Sequence, residues 1–276
     1  MVHSNQIDLK TMRVMMVPVL FLMFVYFEDI LVEDNMSKFE TLYELESIYD
    51  LMKPAQEKSK EAFAWFSGID HPLFNAIMHL KTDTNIEEKV DALLAHAPEG
   101  VPLSFWVHNQ NGSSILKDAL EKRGFQSMMV CPLMERSVTP MELPGYEIGK
   151  ADLAVFYDIL SSTFHLNEDV AKGFAEIMKN IECEHYLIHL EGQPVGIGTL
   201  IPNGKVGLVC NVATLSEYQK RGCGRAMMEF LTNRASELGL EKLILQSSPE
   251  AEKLYDDLEF TKCFDVEIYA RYVYVL

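Results

Sequence analysis

Two glycines one residue apart, Gly222 and Gly224, stand between an apolar run with strand character, Val206 to Leu215, and a helical pattern from Ala226 to Leu238. A strand that turns into a helix through glycine gathers backbone N–H groups at the positive end of a helix dipole, an arrangement suited to an anion. The full stretch, Gln219-Lys220-Arg221-Gly222-Cys223-Gly224-Arg225, adds three basic side chains to a chain whose formal charge is −17. So acidic a chain lacks the Lys and Arg surplus that neutralises the phosphates of DNA or RNA. No nucleic-acid partner is expected, and the balance suits a cationic or amine substrate.

The surrounding pattern places this junction in a mixed α/β fold with helices on both faces of a sheet. From Tyr146 onward the periodicity reads as a strand (146–148) and two helices (153–164, 169–179). Three strands come next (183–190, 195–200, 206–214), then the junction and its helix, a strand (242–246), a helix (249–258) and strand material from Cys263 to Val275. Gly192 and Asn203-Gly204 supply hairpin turns. Upstream, a helix is expected over 38–54, extended chain at 63–66, and a turn into a strand over 71–78. A helix over 86–97 capped by Asp83 or Thr84 comes next, then a strand at 103–107, a helix over 113–123 and one strand over 128–133. Val138 to Gly145 holds two prolines and a glycine, and the domain boundary is placed there. The expected parts are an apolar extension, 1–35, an N-terminal domain, 36–139, and a domain carrying the cradle, 140–276.

The extension contains Val14 to Phe27, uncharged and preceded by Lys10 and Arg13. No small-residue cleavage site follows, as a signal peptide would need. The run is short of the roughly 20 residues of a membrane span. A translated leader ahead of a start at Met36, an apolar packing segment and a membrane anchor remain as readings. Membrane contact is expected only through 14–27. The five cysteines, Cys131, Cys183, Cys210, Cys223 and Cys263, form no CxxC pair. They read as reduced thiols of a cytoplasmic protein. His71, His79 and His108 lack metal-ligand spacing, so no metal is expected. These histidines, with Trp65 and Trp106, read as packing residues.

Two phosphate-binding patterns can be set aside. A dinucleotide fingerprint needs glycine or alanine at position 227, where Met227 stands, and an acidic residue after the next strand, where Leu245-Gln246-Ser247-Ser248 stands. No GxxxxGK[ST] loop is present. What remains is Gln219-x-x-Gly222-x-Gly224 followed, about thirty residues on, by Ala251-x-x-Leu254-Tyr255-x-x-Leu258-x-Phe260. With the hairpin and strand before it, this set resembles the GCN5-related N-acetyltransferase (GNAT) superfamily from about Tyr146 to Tyr269.

The resemblance implies a GNAT-like acyl-CoA N-acyltransferase fold and transfer of an acetyl group from acetyl-CoA to a small-molecule or peptide amine. It implies that Gln219, Lys220, Arg221, Gly222, Cys223, Gly224 and Arg225 hold the pyrophosphate, and that Val212, Thr214 and Leu215 offer main-chain groups to the pantetheine arm. Tyr255 takes the position of a tyrosine that protonates the leaving thiolate. Ser248 stands where the family has asparagine and is expected among the cofactor-binding residues, with one hydrogen bond to offer; Glu259 stands where the family has glycine, and the strand 206–215 carries no acidic base. Glu217 or water is left for that role, or the amine arrives neutral, and a non-catalytic acyl-CoA-binding or protein-interaction module is the alternative. In the first half, Phe105-Trp106-Val107 and Leu116-x-x-Ala119-Leu120-x-x-x-Gly124-Phe125 echo the same order without the cradle. The expected architecture is therefore two tandem GNAT-like domains, the first degenerate.

Overall fold

Short strands, buried on both faces at the sheet centres, build two sheets, and the chain crosses between them twice. The structure is a computed structural model that describes residues 40–51, 56–58, 62–80, 84–108, 113–142 and 145–272. The apolar run 14–27 and the rest of 1–35 lie outside the described residues. The chain divides into units Met1–Leu42 and Tyr43–Leu276. Of the first, only 40–42 is described, as the opening turn of helix α1 (40–51). The second holds both sheets.

After α1 come β1 (Gln56–Lys58), β2 (Ala62–Phe66), a 3-10 turn at Pro72–Phe74 and β3 (Asn75–Leu80). Helix α2 (Ile86–His96), β4 (Leu103–His108), α3 (Ser113–Glu121), β5 (Gln126–Val130) and β6 (Leu133–Ser137) complete the first half. The second half runs β7 (Glu147–Lys150), α4 (Leu153–Phe164), α5 (Glu168–Met178), β8 (Glu184–Leu190), β9 (Gln193–Asn203) and β10 (Val206–Thr214). It ends with α6 (Cys223–Glu237), β11 (Lys242–Gln246), α7 (Glu252–Asp256), β12 (Thr261–Phe264) and β13 (Val266–Arg271). The element order read from the sequence after residue 146 is the order observed.

One sheet is ordered β1-β2-β3-β4-β13-β5 and the other β12-β6-β11-β10-β9-β8-β7. Each is an antiparallel meander whose last strand pairs in parallel with the strand after a helical crossover, β3 with β4 and β10 with β11. Each then accepts a strand from the other half: β13 lies between β4 and β5, and β6 between β11 and β12. The segment 128–133, expected as one strand, is two. Pro132 cannot donate to a ladder, and the chain leaves the first sheet at Cys131 to enter the second at Leu133. The terminal strand material divides likewise at Asp265. A cut at residue 140 falls between β6 and β7, yet no single cut separates the sheets. The cap expected for α2 also differs: Asn85 occupies the N-cap position in the left-handed region and bonds no helix N–H with its side chain.

Alternation along the strands assigns the faces of the second sheet. Tyr186, Ile188, Val195, Leu200, Val209, Leu243 and Leu245 join Met227, Met228 and Leu231 of α6 in one core. At Gly198 a Cβ would stand 2.7 Å from Met227, so glycine lets α6 approach the sheet closely. The opposite face carries α4, whose Phe156 ring lies 4.4 Å from that of His185. Helix α1 reaches the same sheet through Glu44 to Lys242, 3.0 Å, and Ser47 to Asn203, 3.0 Å. Its Tyr49 ring packs edge-on against Trp65 and Trp106 of the first sheet. Both tryptophans are buried, as expected. Among the described residues, no helix is long and apolar enough to cross a membrane.

Candidate functional site

The cradle residues form a sharply bent loop between β10 and α6. A 3-10 turn at Ser216–Tyr218 leads into it, and Gln219 Nε2 donates to the Thr214 carbonyl at 3.2 Å, closing the loop onto the strand end. Lys220 and Gly222 both adopt left-handed conformations, with φ of 59° and 83°. Gly222 is the N-cap of α6, and no side chain caps the helix there. The first N–H groups of a helix have no acceptors within it, so those of Cys223, Gly224 and Arg225 are left for a ligand or water. Tyr146 Oη donates to the Arg221 carbonyl, and a Cβ at position 222 would lie 2.9 Å from that oxygen. A side chain at 222 is therefore excluded by backbone conformation and by the tyrosine.

Arg221 is exposed and stacks over Tyr218 at 5.5 Å, Lys220 is exposed, and Arg225 lies 3.8 Å from Asp257. Cys223 is 2 % exposed in the α6 core. Burial raises its thiol above the usual value, opposite to the lowering typical of reactive cysteines at helix N-termini. Its side chain belongs to the core. Gly224 has less steric need to be glycine, since an added Cβ would meet only Leu254, at 3.4 Å.

Upstream of the cradle, β10 parts from β11. The two strands pair only from Val206–Lys242 to Leu208–Ile244. From Val209 to Thr214, β10 keeps β9 on one side and has no strand partner on the other among the described residues. A bulge between Cys210 and Ala213 shifts the register against β9, with Asn211 at its centre in the left-handed region, φ 54°. Bulges of this kind re-aim side chains. Val212 lies in the bulge, Thr214 pairs with Gly196, and the Leu215 N–H is already bonded to Val195 O at 2.9 Å. Leu215 is thus not free to offer its N–H.

The face opposite α6 carries a polar row across three strands. His185 on β8 pairs in register with Thr199 on β9, and Thr199 with Cys210 on β10. His185 Nδ1 lies 2.9 Å from Thr199 Oγ1, and its Nε2 lies 3.3 Å from Cys183 Sγ. Asn211 Nδ2 donates to Thr199 Oγ1 at 3.3 Å. Burial dominates the ionisation of the whole group. It lowers His185 to about 4, raises Cys210 to about 12 and raises Tyr157 to about 12. Cys183 and Tyr49 are raised by the same cause. Each is therefore neutral at pH 7, although Tyr49, His185, Cys210 and Asn211 all keep some accessible surface. At the end of β11, Gln246 Nε2 is buried without a hydrogen-bond partner among the described residues.

Tyr255 on α7 is 6 % exposed and stacks edge-on with Phe260 at 5.7 Å. Burial, and then the neighbouring Cys210, push its hydroxyl up to about 12. The phenol thus holds its proton across neutral pH near the open edge of β10. Ser248 is exposed. The buried serine here is Ser247, whose hydroxyl donates to the Ser248 carbonyl at 2.7 Å. Glu217 is exposed on the 3-10 turn before the cradle. Among the described residues, no group of three metal-ligating side chains stands together.

The sequence pattern singled out the two-glycine loop and Tyr255 as candidates and assigned no role to His185, Thr199 or Cys183. Their only signal is that His185 and Thr199 interrupt otherwise apolar strands at positions that alternation sends to one face. Their meeting depends on strand register, which no motif encodes.

Residues 153–260 match the Acetyltransferase (GNAT) family. A GCN5-related N-acetyltransferase from Kribbella flavida superposes with a TM-score of 0.65 at 16% identity, covering 87% of this chain and 96% of that one. One from Sphaerobacter thermophilus gives 0.53 at 14% identity, over 67% and 64% of the two chains. A conserved protein of unknown function from Staphylococcus epidermidis gives 0.59 at 14% identity, over 78% and 92%. In sequence, 79 residues are 29% identical to the uncharacterized protein YyaT of Bacillus subtilis, 29% of this chain and 53% of that protein. The match thus spans about half the length of that relative. The chain has a GNAT-like fold, and its residues 153–260 are a domain of the GNAT acetyltransferase family.

Proposed function

We propose that the protein transfers an acetyl group from acetyl-CoA to an amine by direct attack. The observation that carries this reading is the uncapped N-terminus of α6, reached through left-handed Gly222 directly after a strand whose far edge is open. A diphosphate fits the N–H groups of residues 222–225, and an extended amide-bearing arm fits the unpaired edge of Val209 to Thr214. Lys220, Arg221 and Arg225 supply positive charge around the diphosphate. Leu215 contributes packing and not its N–H, and Cys223 contributes only backbone.

Bound there, acetyl-CoA supplies a thioester carbonyl carbon: the amine nitrogen forms the C–N bond, and the C–S bond breaks. Tyr255 Oη, still protonated, donates a hydrogen bond to the sulfur as negative charge develops on it. A phenol at about 12 is too weak an acid to give its proton outright to an ordinary thiolate of pKa near ~8.5. The nitrogen sheds its proton to water as hydronium, and the thiolate takes a proton back from that hydronium through the solvent, so no net proton is gained or lost. The neutral groups on the polar face offer no counter-charge to an ammonium, so the nitrogen attacks in its uncharged form. Most of the acceleration comes from holding the two reactants together.

The test is coenzyme A release from acetyl-CoA with an alkylamine, an arylalkylamine, a polyamine, an amino sugar and a peptide with a free N-terminus. Turnover with at least one is expected, and Gly222→Glu abolishes both turnover and acetyl-CoA binding. Retained affinity in Gly222→Glu refutes the cradle assignment. Firm binding without turnover on any amine replaces the enzyme by a binding module.

A further inference from the structure

The hydrogen bonds on the face opposite α6 run in a single direction, and that direction bears on how the amine is held. Thr199 is fully buried, with its hydroxyl between His185 Nδ1, 2.9 Å away, and Asn211 Nδ2, 3.3 Å away. An amide N–H only donates. The Thr199 oxygen therefore accepts from Asn211. Cys183 Sγ donates to the Met178 carbonyl at 3.9 Å, which leaves the sulfur to accept from His185 Nε2, and with the ring hydrogen assigned there the Thr199 hydroxyl donates to Nδ1. The ring then carries its hydrogen on Nε2, toward Cys183 Sγ at 3.3 Å, and burial keeps it neutral. Phe156 and Tyr157 of α4 pack around the ring, with centroids 4.4 and 6.2 Å away, and limit its rotation.

At the other end of the chain of hydrogen bonds, the Asn211 amide nitrogen is committed to Thr199 and to Cys210 Sγ at 3.6 Å. Among the described residues its carbonyl oxygen Oδ1 has no hydrogen-bond partner and is left as the acceptor, on the bulge where β10 has parted from β11. Asparagine also suits the backbone here, since it tolerates φ of 54° better than most residues.

We propose that Asn211 Oδ1 accepts a hydrogen bond from the N–H of the incoming amine and so aims the nitrogen lone pair at the thioester carbonyl. Thr199, His185 and Cys183 are positioning residues that hold the amide in that orientation. The inference rests on the proposed acyl transfer. It specifies an acceptor with more than one N–H, because one hydrogen is held by Asn211 while another leaves.

Two substitutions separate positioning from folding. Asn211→Gly keeps the left-handed backbone and removes the amide. Thr199→Val removes the hydroxyl at nearly constant volume, and Thr199→Ser restores it. The assay uses acetyl-CoA and whichever amine of the panel the parent enzyme acetylates fastest. In Asn211→Gly and Thr199→Val, kcat/KM for the amine falls about 10- to 100-fold while KM for acetyl-CoA changes by less than about twofold. Thr199→Ser recovers to within about threefold of the parent. Nitrogen NMR of His185 in the parent shows the Nε2–H tautomer throughout about pH 5 to 8, and Thr199→Val alters the Nδ1 signal. Parent-like amine turnover in Asn211→Gly, an equal loss of acetyl-CoA affinity in both variants, or an Nδ1–H tautomer in the parent overturns the proposal. A parent that releases no coenzyme A with any amine overturns the proposed acyl transfer as well, so the parent alone tells the two failures apart.

Discussion

Gly222 and Gly239 flank the same helix in the same left-handed conformation, φ 83° and 73°, yet only one of them belongs to the cradle. Replacing either by alanine costs about 1–2 kcal/mol of backbone strain. At Gly239 nothing lies within 4 Å of the new Cβ, so strain is the whole effect. At Gly222 the Cβ meets Tyr146 Oη at 2.9 Å. The tyrosine must move and give up its bond to the Arg221 carbonyl, adding about 0.5–1.5 kcal/mol. Gly239→Ala should then lower the Tm by about 3 °C and Gly222→Ala by about 6 °C, at roughly 2–4 °C per kcal/mol for a chain of this size. Isothermal titration with acetyl-CoA separates the two further. Gly239→Ala binds like the parent, and Gly222→Ala loses at least about tenfold, or ~1.4 kcal/mol, because the bent loop can no longer close on a diphosphate. Unchanged affinity in Gly222→Ala, or an equal loss in Gly239→Ala, refutes the reasoning.

Other consequences can be measured independently. Tyr255→Phe lowers kcat by about 10- to 100-fold with acetyl-CoA affinity within about twofold. It leaves the Tm nearly unchanged, since the hydroxyl makes no hydrogen bond to described residues and the ring contact with Phe260 survives. Glu184 is held down to about 2, first by its hydrogen bonds from Arg234 and also by that from Tyr186. Its folded pKa lies below its unfolded one, so its stabilisation is present above about pH 4.5 and is lost as pH falls toward 2. Glu184→Gln should cost about 2 kcal/mol at pH 7 in urea unfolding, and the difference should shrink below pH 4. His185 shows the opposite case of a base lowered by burial. Between its folded value of about 4 and its unfolded value near ~6.5, the unfolded chain binds the extra proton. Stability should therefore fall as pH drops through that window, and His185→Gln should flatten the slope. Cys223→Ser should keep turnover within about twofold, as expected of a residue that offers only its N–H.

Much of the fold was legible because it rests on local chemistry. Gly192 and Asn203-Gly204 announced two hairpins, Asp152 caps α4 by accepting from Ala154 and Val155, and the two-glycine junction stands where the pattern placed it. The exchanged strands were not legible. Nothing local tells Val266–Arg271 to leave its neighbours and enter the other sheet, because that choice is made by long-range pairing with β4 and β5. The site divides in the same way. The cradle is a contiguous stretch and could be read, whereas the row of His185, Thr199 and Asn211 comes from three strands and exists only once their register is set. The halves also share a detail that supports reading the first as a degenerate copy. The Phe125 N–H bonds to Leu120 O as the Phe260 N–H bonds to Tyr255 O, and Gly124 and Glu259 before them are both left-handed. We propose the copy on that correspondence.

The central claim is that the α6 N-terminus and the open edge of β10 form one continuous acyl-CoA site ending at Tyr255. A crystal structure with acetyl-CoA tests it most directly. The account predicts the diphosphate on the N–H groups of residues 222–225, the pantetheine arm along Val209 to Thr214, and the thioester sulfur within hydrogen-bond reach of Tyr255 Oη. A diphosphate bound elsewhere, or an arm that never enters the gap between β10 and β11, contradicts it.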